Sequence, residues 1–291
     1  MESRGILIGI AGWSYDDWKG VVYPVGCRDT LRAVASLVDL VEINATFYRT
    51  PKVEVVSSWV ERTADLATRF TAKLPQDVTH RPWRDAAIAR AYRAALAPLV
   101  DSGRLDGLLA QFSHRLVAGG EALRLLERIV VEFGDAAPLV VELRHGSWKA
   151  PDWQRRVVDR GYGIAALDYP GIVRGGFVRA EAQPRSSLGY YRLHGRNVAA
   201  WFDKDAGRDA TYDHLYTAAE VAELERRVER LAAAAAKLAV VANNHFRGKA
   251  VKLALELKAW RDAGPVEVPT ELLQAYPELE AIAKGGQRTL F

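Results

Sequence analysis

With 291 residues, 49% apolar side chains and a formal charge of +4, the chain is long enough for one large domain with a substantial core. No uninterrupted apolar run reaches the roughly 18 residues of a membrane span, and the single cysteine, Cys27, excludes an intrachain disulfide and a cysteine-rich metal site. The basic excess is small beside 40 basic and 36 acidic groups, so it permits an anionic partner without requiring one.

The opening MESRGILIGIAGW runs straight into a strand-like segment, without a charged leader, an apolar stretch and a small-residue cleavage site. With the lone cysteine, this sets the expectation of a cytoplasmic protein. The first apolar run is Ile6–Gly12. Leu31, Val34, Leu37 and Val38 then repeat at helical spacing before the second run, Leu40–Asn44. Arg69–Pro75 and Leu105–Phe112 are the third and fourth runs. Leu123, Leu126, Ile129 and Val130 mark a helix stopped near Gly134, and Leu139–Arg144 follows. The sixth run, Gly163–Asp168, leads into an irregular excursion over Pro170–Leu188. Gly189–Gly195 is the seventh run. Thr217 and Glu220 form a capping-box pattern that opens an Ala-rich helix with Val221, Leu224, Val228 and Leu231 on its buried face. Leu238–Asn244 is the eighth run, and Leu253, Leu257 and Trp260 continue a last helix that Gly264-Pro265 ends.

Eight short Val/Ile/Leu-rich runs alternating with helices predict an α/β fold with a parallel sheet, closed as a single-domain (β/α)8 TIM barrel over residues 1–264. Residues 265–291 read as a C-terminal appendage with a flexible tail. A doubly wound open sheet is the alternative, but Gly9, Gly12 and Gly20 do not form its glycine-rich phosphate loop.

Polar residues then stand where buried strands should stay apolar. Glu42 and Asn44 share a face, as do Glu142 and Arg144, and Arg192 and His194. Lys73, Gln111 and Asp168 lie near their strand ends, and Asn243 and Asn244 close the eighth. A charge on the outer face would have to be buried against apolar helices, so these side chains are expected to point inward at the upper mouth, where barrel enzymes place their chemistry. A structural reading is open beside the functional one. Glu42 could pair with Lys73 and Glu142 with Arg192, simply closing the barrel.

Histidine carries the strongest positional case at His194, while His80, His145 and His245 fall just past strands and His114 and His214 give no signal. A metal held by Glu42, Glu142, Asp168 and His194 is disfavoured because Arg144, Arg192 and Lys73 crowd it with positive charge. No metal and no cofactor is assigned. Aromatics gather in the loops after strands: Trp13, Tyr15, Trp18, Phe47, Tyr48, Trp148 and Trp201. Singly each fits a core cap; together, beside Arg and Lys, they suit a ligand that joins an anion to a flat ring.

The blocks IAGWSYDDWKGVVYP, VEINATFYRTP, FTAKLPQDVTH, VELRHGSW, YYRLHGR and NNHFRGKAV resemble, in order, the signature of the YecE-like family, a domain-of-unknown-function group. The resemblance runs from Ile8 to about Trp260. It implies a TIM barrel and pocket residues at Trp13, Tyr15, Glu42, Asn44, Tyr48, Lys73, Glu142, Arg144, Trp148, Arg192, His194, Arg196 and Asn244. The fourth block departs from the family: QFSHRL has Ser113 where Pro often follows Gln-Phe, which loosens the loop that aims Gln111. The family's outline is similar to endonuclease IV-type barrels, but their histidine-rich trinuclear zinc set is not present here.

The C-terminal Gln287-Arg288-Thr289-Leu290-Phe291 is similar to the short peptide that docks on bacterial sliding clamps, with Leu290 and Phe291 filling an apolar pocket and Gln287 setting register. A frayed terminus is the plain alternative. Three functions follow. The first is an enzyme on a phosphate-containing ligand, such as a DNA or RNA phosphodiester. Arg144, Arg192, Arg196 and Lys73 hold the anion, Glu142 or Glu42 acts as base and His194 as acid, with Asp168 as a further catalytic candidate. The second is a non-catalytic nucleic-acid or nucleotide binder recruited to a clamp. The third, weaker, is a glycoside hydrolase using Glu42 and Glu142.

Overall fold

The computed structural model describes residues 5–83, 85–170, 188–203, 205 and 207–285. Its strands are β1 Ile6–Ala11, β2 Leu40–Ile43, β3 Arg69–Lys73, β4 Leu105–Gln111 and β5 Leu139–Glu142. They continue as β6 Gly163–Ile164, β7 Ala166–Asp168, β8 Gly189–Leu193 and β9 Leu238–Ala242. All pairings are parallel, in the order β6-β5-β4-β3-β2-β1-β9-β8-β7.

The expectation of eight strands is corrected to nine. Each apolar run carries a strand, but the sixth run splits at Ala165. Its first half pairs with β5 and its second half with β8. The sheet therefore curls into a TIM-barrel-like ring that is nearly closed, and its two terminal strands are neighbours in the chain.

Side-chain alternation divides the strands into two cores. Leu40, Leu109, Val140, Leu167, Tyr190, Ala239 and Val241 pack with one another inside the ring. Their alternate neighbours, including Val41, Leu108, Val141, Tyr191 and Val240, pack outward on the helices. The helices bury the stripes their periodicity foretold: Leu123, Leu126 and Ile129 in Gly120–Phe133, and Val221, Leu224 and Val228 in Ala218–Ala232. The capping box forms at Thr217, whose side chain accepts the Glu220 N–H while Glu220 accepts the Thr217 N–H at 2.8 Å.

Beyond the helix Lys249–Asp262 the chain continues as a helix, Thr270–Ala275, and a 3-10 turn, Pro277–Ile282. Val266, Leu272, Tyr276 and Leu279 join the outer core. The clamp-like Gln287, Leu290 and Phe291, and the excursion over 171–187, lie outside the described residues. Among those described, no helix is long and apolar enough to cross a membrane.

Gly9 is the tight point of the ring. A Cβ there would fall 2.1 Å from the Leu40 carbonyl oxygen and 2.7 Å from the Leu40 Cβ. Gly9→Ala is expected to destabilise the protein by about 3 kcal/mol or more, because backbone of two paired strands would have to part. Chemical denaturation checks this, and a loss under ~1 kcal/mol would show that the ring absorbs the methyl group.

Candidate functional site

The inward face of the strands changes from apolar to polar at the top of the ring. Above Leu40 stands Glu42; above Val140, Glu142; above Tyr190, Arg192 and then His194; above Val241, Asn243; above Leu109, Gln111. Lys73 follows Thr71 in the same way on β3. Period-two alternation alone puts these side chains in one layer at the C-terminal strand ends.

Arg192 is the hub of that layer. It is buried, and its Nε and Nη2 donate to the two Glu42 carboxylate oxygens at 3.0 and 2.6 Å. Its Nη1 donates to Glu142 and, at 3.1 Å, to the Gln111 carbonyl. Tyr190 Oη donates to Glu42 at 2.9 Å and lies 2.8 Å from the Thr71 hydroxyl. Arg144 Nε donates to Glu142 at 2.7 Å. Lys73 Nζ stands 3.7 Å from Glu42, and His194 Nε2 stands 3.7 Å from Glu142. Asn243 Nδ2 lies 3.0 Å from His194 Nδ1.

Protonation follows from this wiring. Burial opposes the Glu42 charge, but Arg192 and Lys73 outweigh it and hold the carboxyl below its ordinary value. Burial likewise opposes the Glu142 charge, and Arg144 and Arg192 hold it well below that value. Burial, then Arg192, pushes His194 down to about 4, so the ring is neutral near pH 7. Burial, then Arg192, pulls Lys73 down to about 8.

Beside this layer opens a cavity of about 340 Å³. Its polar lining includes Lys73, Gln111, Asn44 and Asn243, and its aromatic walls are Trp13, Tyr15, Phe47, Tyr48 and Tyr212, with His245 beside them. Tyr15 stacks on His245 at 4.4 Å and donates from its hydroxyl to the Ala11 carbonyl at 2.8 Å. That hydroxyl stands over Gly12, 2.5 Å from where a Cβ would lie, so only glycine fits there. Trp13 packs edge-on against Trp59 at 5.3 Å. Tyr48 is 62% exposed at the rim. The Asn44 Oδ1 is buried and accepts no hydrogen bond among the described residues.

Several predicted site residues sit elsewhere. Asp168 has the outward parity of Ala166, not the inward parity of Leu167. Its carboxylate is taken by Arg196 at 2.9 Å and by the Tyr216 hydroxyl at 2.8 Å. Arg196 also pairs with Glu223 at 2.9 Å, so its fork is occupied. Asn244 has the outward parity of Ala242 and donates to the His214 carbonyl at 2.9 Å. Trp148 is buried, donating to the Leu116 carbonyl at 2.7 Å in the outer core. Glu42, Glu142, Arg192 and His194 form the layer beside the cavity but do not line it. Tyr190 and Tyr212 escaped sequence reasoning. Tyr190 looks like an ordinary strand aromatic, and Tyr212 follows a four-residue helix, Arg208–Thr211, with no periodic signal. Among the described residues no group of three or more His, Cys, Asp or Glu side chains is placed to hold a metal ion.

Two outcomes follow from the buried charges. His194 has a folded pKa below its ordinary 6.5, so its contribution to stability is full above pH 6.5 and is lost as pH falls toward about 4. His194→Asn is expected to flatten the fall of melting temperature across that window; an unchanged slope would count against the assignment. Lys73 also has a depressed pKa, so at neutral pH its burial is a net cost. Lys73→Met is expected to raise stability by on the order of 1 kcal/mol at pH 7, measured by denaturant midpoint, and a loss of similar size would contradict it.

The comparisons agree with this architecture. A protein of known structure from Enterococcus faecalis V583 superposes with a TM-score of 0.78 at 26% identity, covering 88% of this chain and 95% of its own. One from Thermotoga maritima MSB8 gives 0.77 at 28% identity, covering 89% and 99%. The Bacillus subtilis (strain 168) protein YunF, of the UPF0759 group, is 25% identical over 260 residues, 84% of this chain and 90% of that protein. The model of the family described as "Protein of unknown function DUF72" matches residues 7–274, and the chain belongs to that family.

Proposed function

We propose that the cavity binds a small ligand joining a phosphate-type anion to a flat ring, a mononucleotide-sized group. The observation that carries this reading is Lys73, a cation on the wall of a cavity lined mainly by amide side chains and aromatic rings. Arg144, with 17% of its side chain exposed and bonded to Glu142, adds positive charge near Lys73. An ammonium favours an anion, and ring faces favour a flat partner. The volume lies near the lower end of small-ligand sites, roughly 300–1,000 Å³. It accommodates a nucleotide or one base with its phosphate, not a duplex.

Binding is better supported than hydrolysis. A general base works best with a pKa near the operating pH, whereas Glu42 and Glu142 are both held low and saturated by arginines. His194 is neutral, enclosed and away from the cavity wall. Glycoside hydrolysis needs one carboxyl held protonated, and neither glutamate is placed to be that acid. Arg192 and Arg196, expected to grip the anion, are already occupied by carboxylates.

Calorimetry with AMP, adenosine and inorganic phosphate tests the proposal. AMP is expected to bind more tightly than either fragment. Lys73→Gln should weaken AMP about tenfold and adenosine little, and Tyr48→Ala should weaken both. One or two phosphate contacts predict a logarithmic salt slope of about −1 to −2, whereas an extended nucleic acid would give a steeper one. Equal affinity for AMP and adenosine, or binding of neither, would overturn the reading.

A further inference from the structure

Lys73 is the last residue of β3, and its backbone is pinned where its side chain departs. Its carbonyl accepts both the Tyr92 hydroxyl at 2.7 Å and the Thr46 hydroxyl at 2.8 Å. The side chain is 11% exposed and lines the cavity. The charged and titratable groups around it come from five other segments: Glu42 on β2, His80 after β3, Glu142 at the end of β5, Arg144 just beyond, and Arg192 on β8. Its nearest counter-ion, Glu42, is 3.7 Å away and makes closer bonds to Arg192 and Tyr190. An amine in a partly dry cavity beside two guanidinium groups, with its carboxylate partner already engaged, is in the environment that makes lysine a nucleophile.

We propose that Lys73 condenses with the carbonyl carbon of an aldehyde- or ketone-bearing ligand in this cavity to form an imine. The neutral Nζ attacks the carbonyl carbon, and a C–N bond forms as the C=O π pair moves to oxygen. A proton passes from nitrogen to that oxygen by way of cavity solvent. Cavity solvent protonates that oxygen once more, the nitrogen lone pair expels it as water, and the resulting iminium returns its N–H proton to solvent, leaving a C=N bond. Amine and carbonyl become imine and water, with no oxidant or reductant. Burial and Arg192 bring the Lys73 pKa to about 8, so a large share of the amine is neutral at mildly alkaline pH, where an exposed lysine with its ordinary 10.5 is almost fully charged.

The inference goes beyond the binding reading and does not need a phosphate on the ligand. The test uses the full chain, sodium cyanoborohydride as trap, and limiting pyridoxal or pyridoxal 5′-phosphate as aldehyde. Labelling of each lysine is timed by peptide mass spectrometry. Lys73 is expected to label at least tenfold faster at pH 8 than Lys19 and Lys284, which are 56% and 53% exposed. Its rate should titrate near pH 8. Lys73→Arg, checked for folding by circular dichroism, should lose that fast site and keep the slow ones. Lys73 labelling no faster than the surface lysines in the wild-type chain overturns the imine proposal and leaves the AMP measurement untouched. Equal labelling by the two aldehydes, with no protection by AMP, supports the imine and overturns the phosphate reading. Faster labelling by the phosphorylated aldehyde, blocked by AMP, supports both.

Discussion

The top of this barrel depends on one arginine holding two glutamates. Arg192, Glu42 and Glu142 come from three strands and are all removed from solvent. Burying any one of them alone would cost several kcal/mol. Together, with Tyr190, Gln111 and Arg144 completing the bonds, their donors and acceptors are largely matched. The arrangement also sets the protonation of everything near it. Burial first, and then the same guanidinium, keeps His194 neutral and pulls Lys73 toward neutrality, while Arg192, with Arg144 and Lys73, keeps the carboxylates ionised against burial.

The division of labour that results differs from what residue types suggest. Acids, bases and an imidazole gathered at a barrel mouth look like a catalytic set. Here most of them satisfy one another, and the groups left to meet a guest are Lys73, a few side-chain amides and a ring of aromatics. The buried network is the floor on which the cavity is built. It fixes the electrostatic field there and presents only its edge, Gln111, Asn243 and Lys73, to the cavity.

Much of this was legible in the chain. The eight apolar runs each became strand, and the capping box at Thr217 formed as its residues required. The inward layer was legible because strand parity is exact: Glu42, Glu142, Arg192 and Gln111 follow apolar interior residues by two. The same parity rejects Asp168 and Asn244, each one residue from an interior position, although both sit at strand ends as a mouth residue should. Arg196 and Trp148 lie past their strands, where parity no longer applies and loop geometry decides. The pairs Glu42–Lys73 and Glu142–Arg192, named from the sequence as the structural alternative, both form, but the closer Glu42–Arg192 pair was not legible. Whether a glutamate pairs with a lysine or an arginine depends on the curvature of the ring, and Tyr212 reaches the cavity through a loop that carries no pattern.

The split at Ala165 gives the hub a mechanical meaning. Below it, β6 is bonded to β5; above it, β7 is bonded to β8. At the mouth, then, no ladder joins β5 to β7 among the described residues, and the rim has a seam there. Glu142 ends β5 on one side of that seam, and Arg192 reaches it from β8 on the other. A side-chain rivet thus spans the stretch of rim where main-chain stitching stops. At that one stretch a guanidinium–carboxylate contact stands where the other neighbouring strands are held by main-chain ladders.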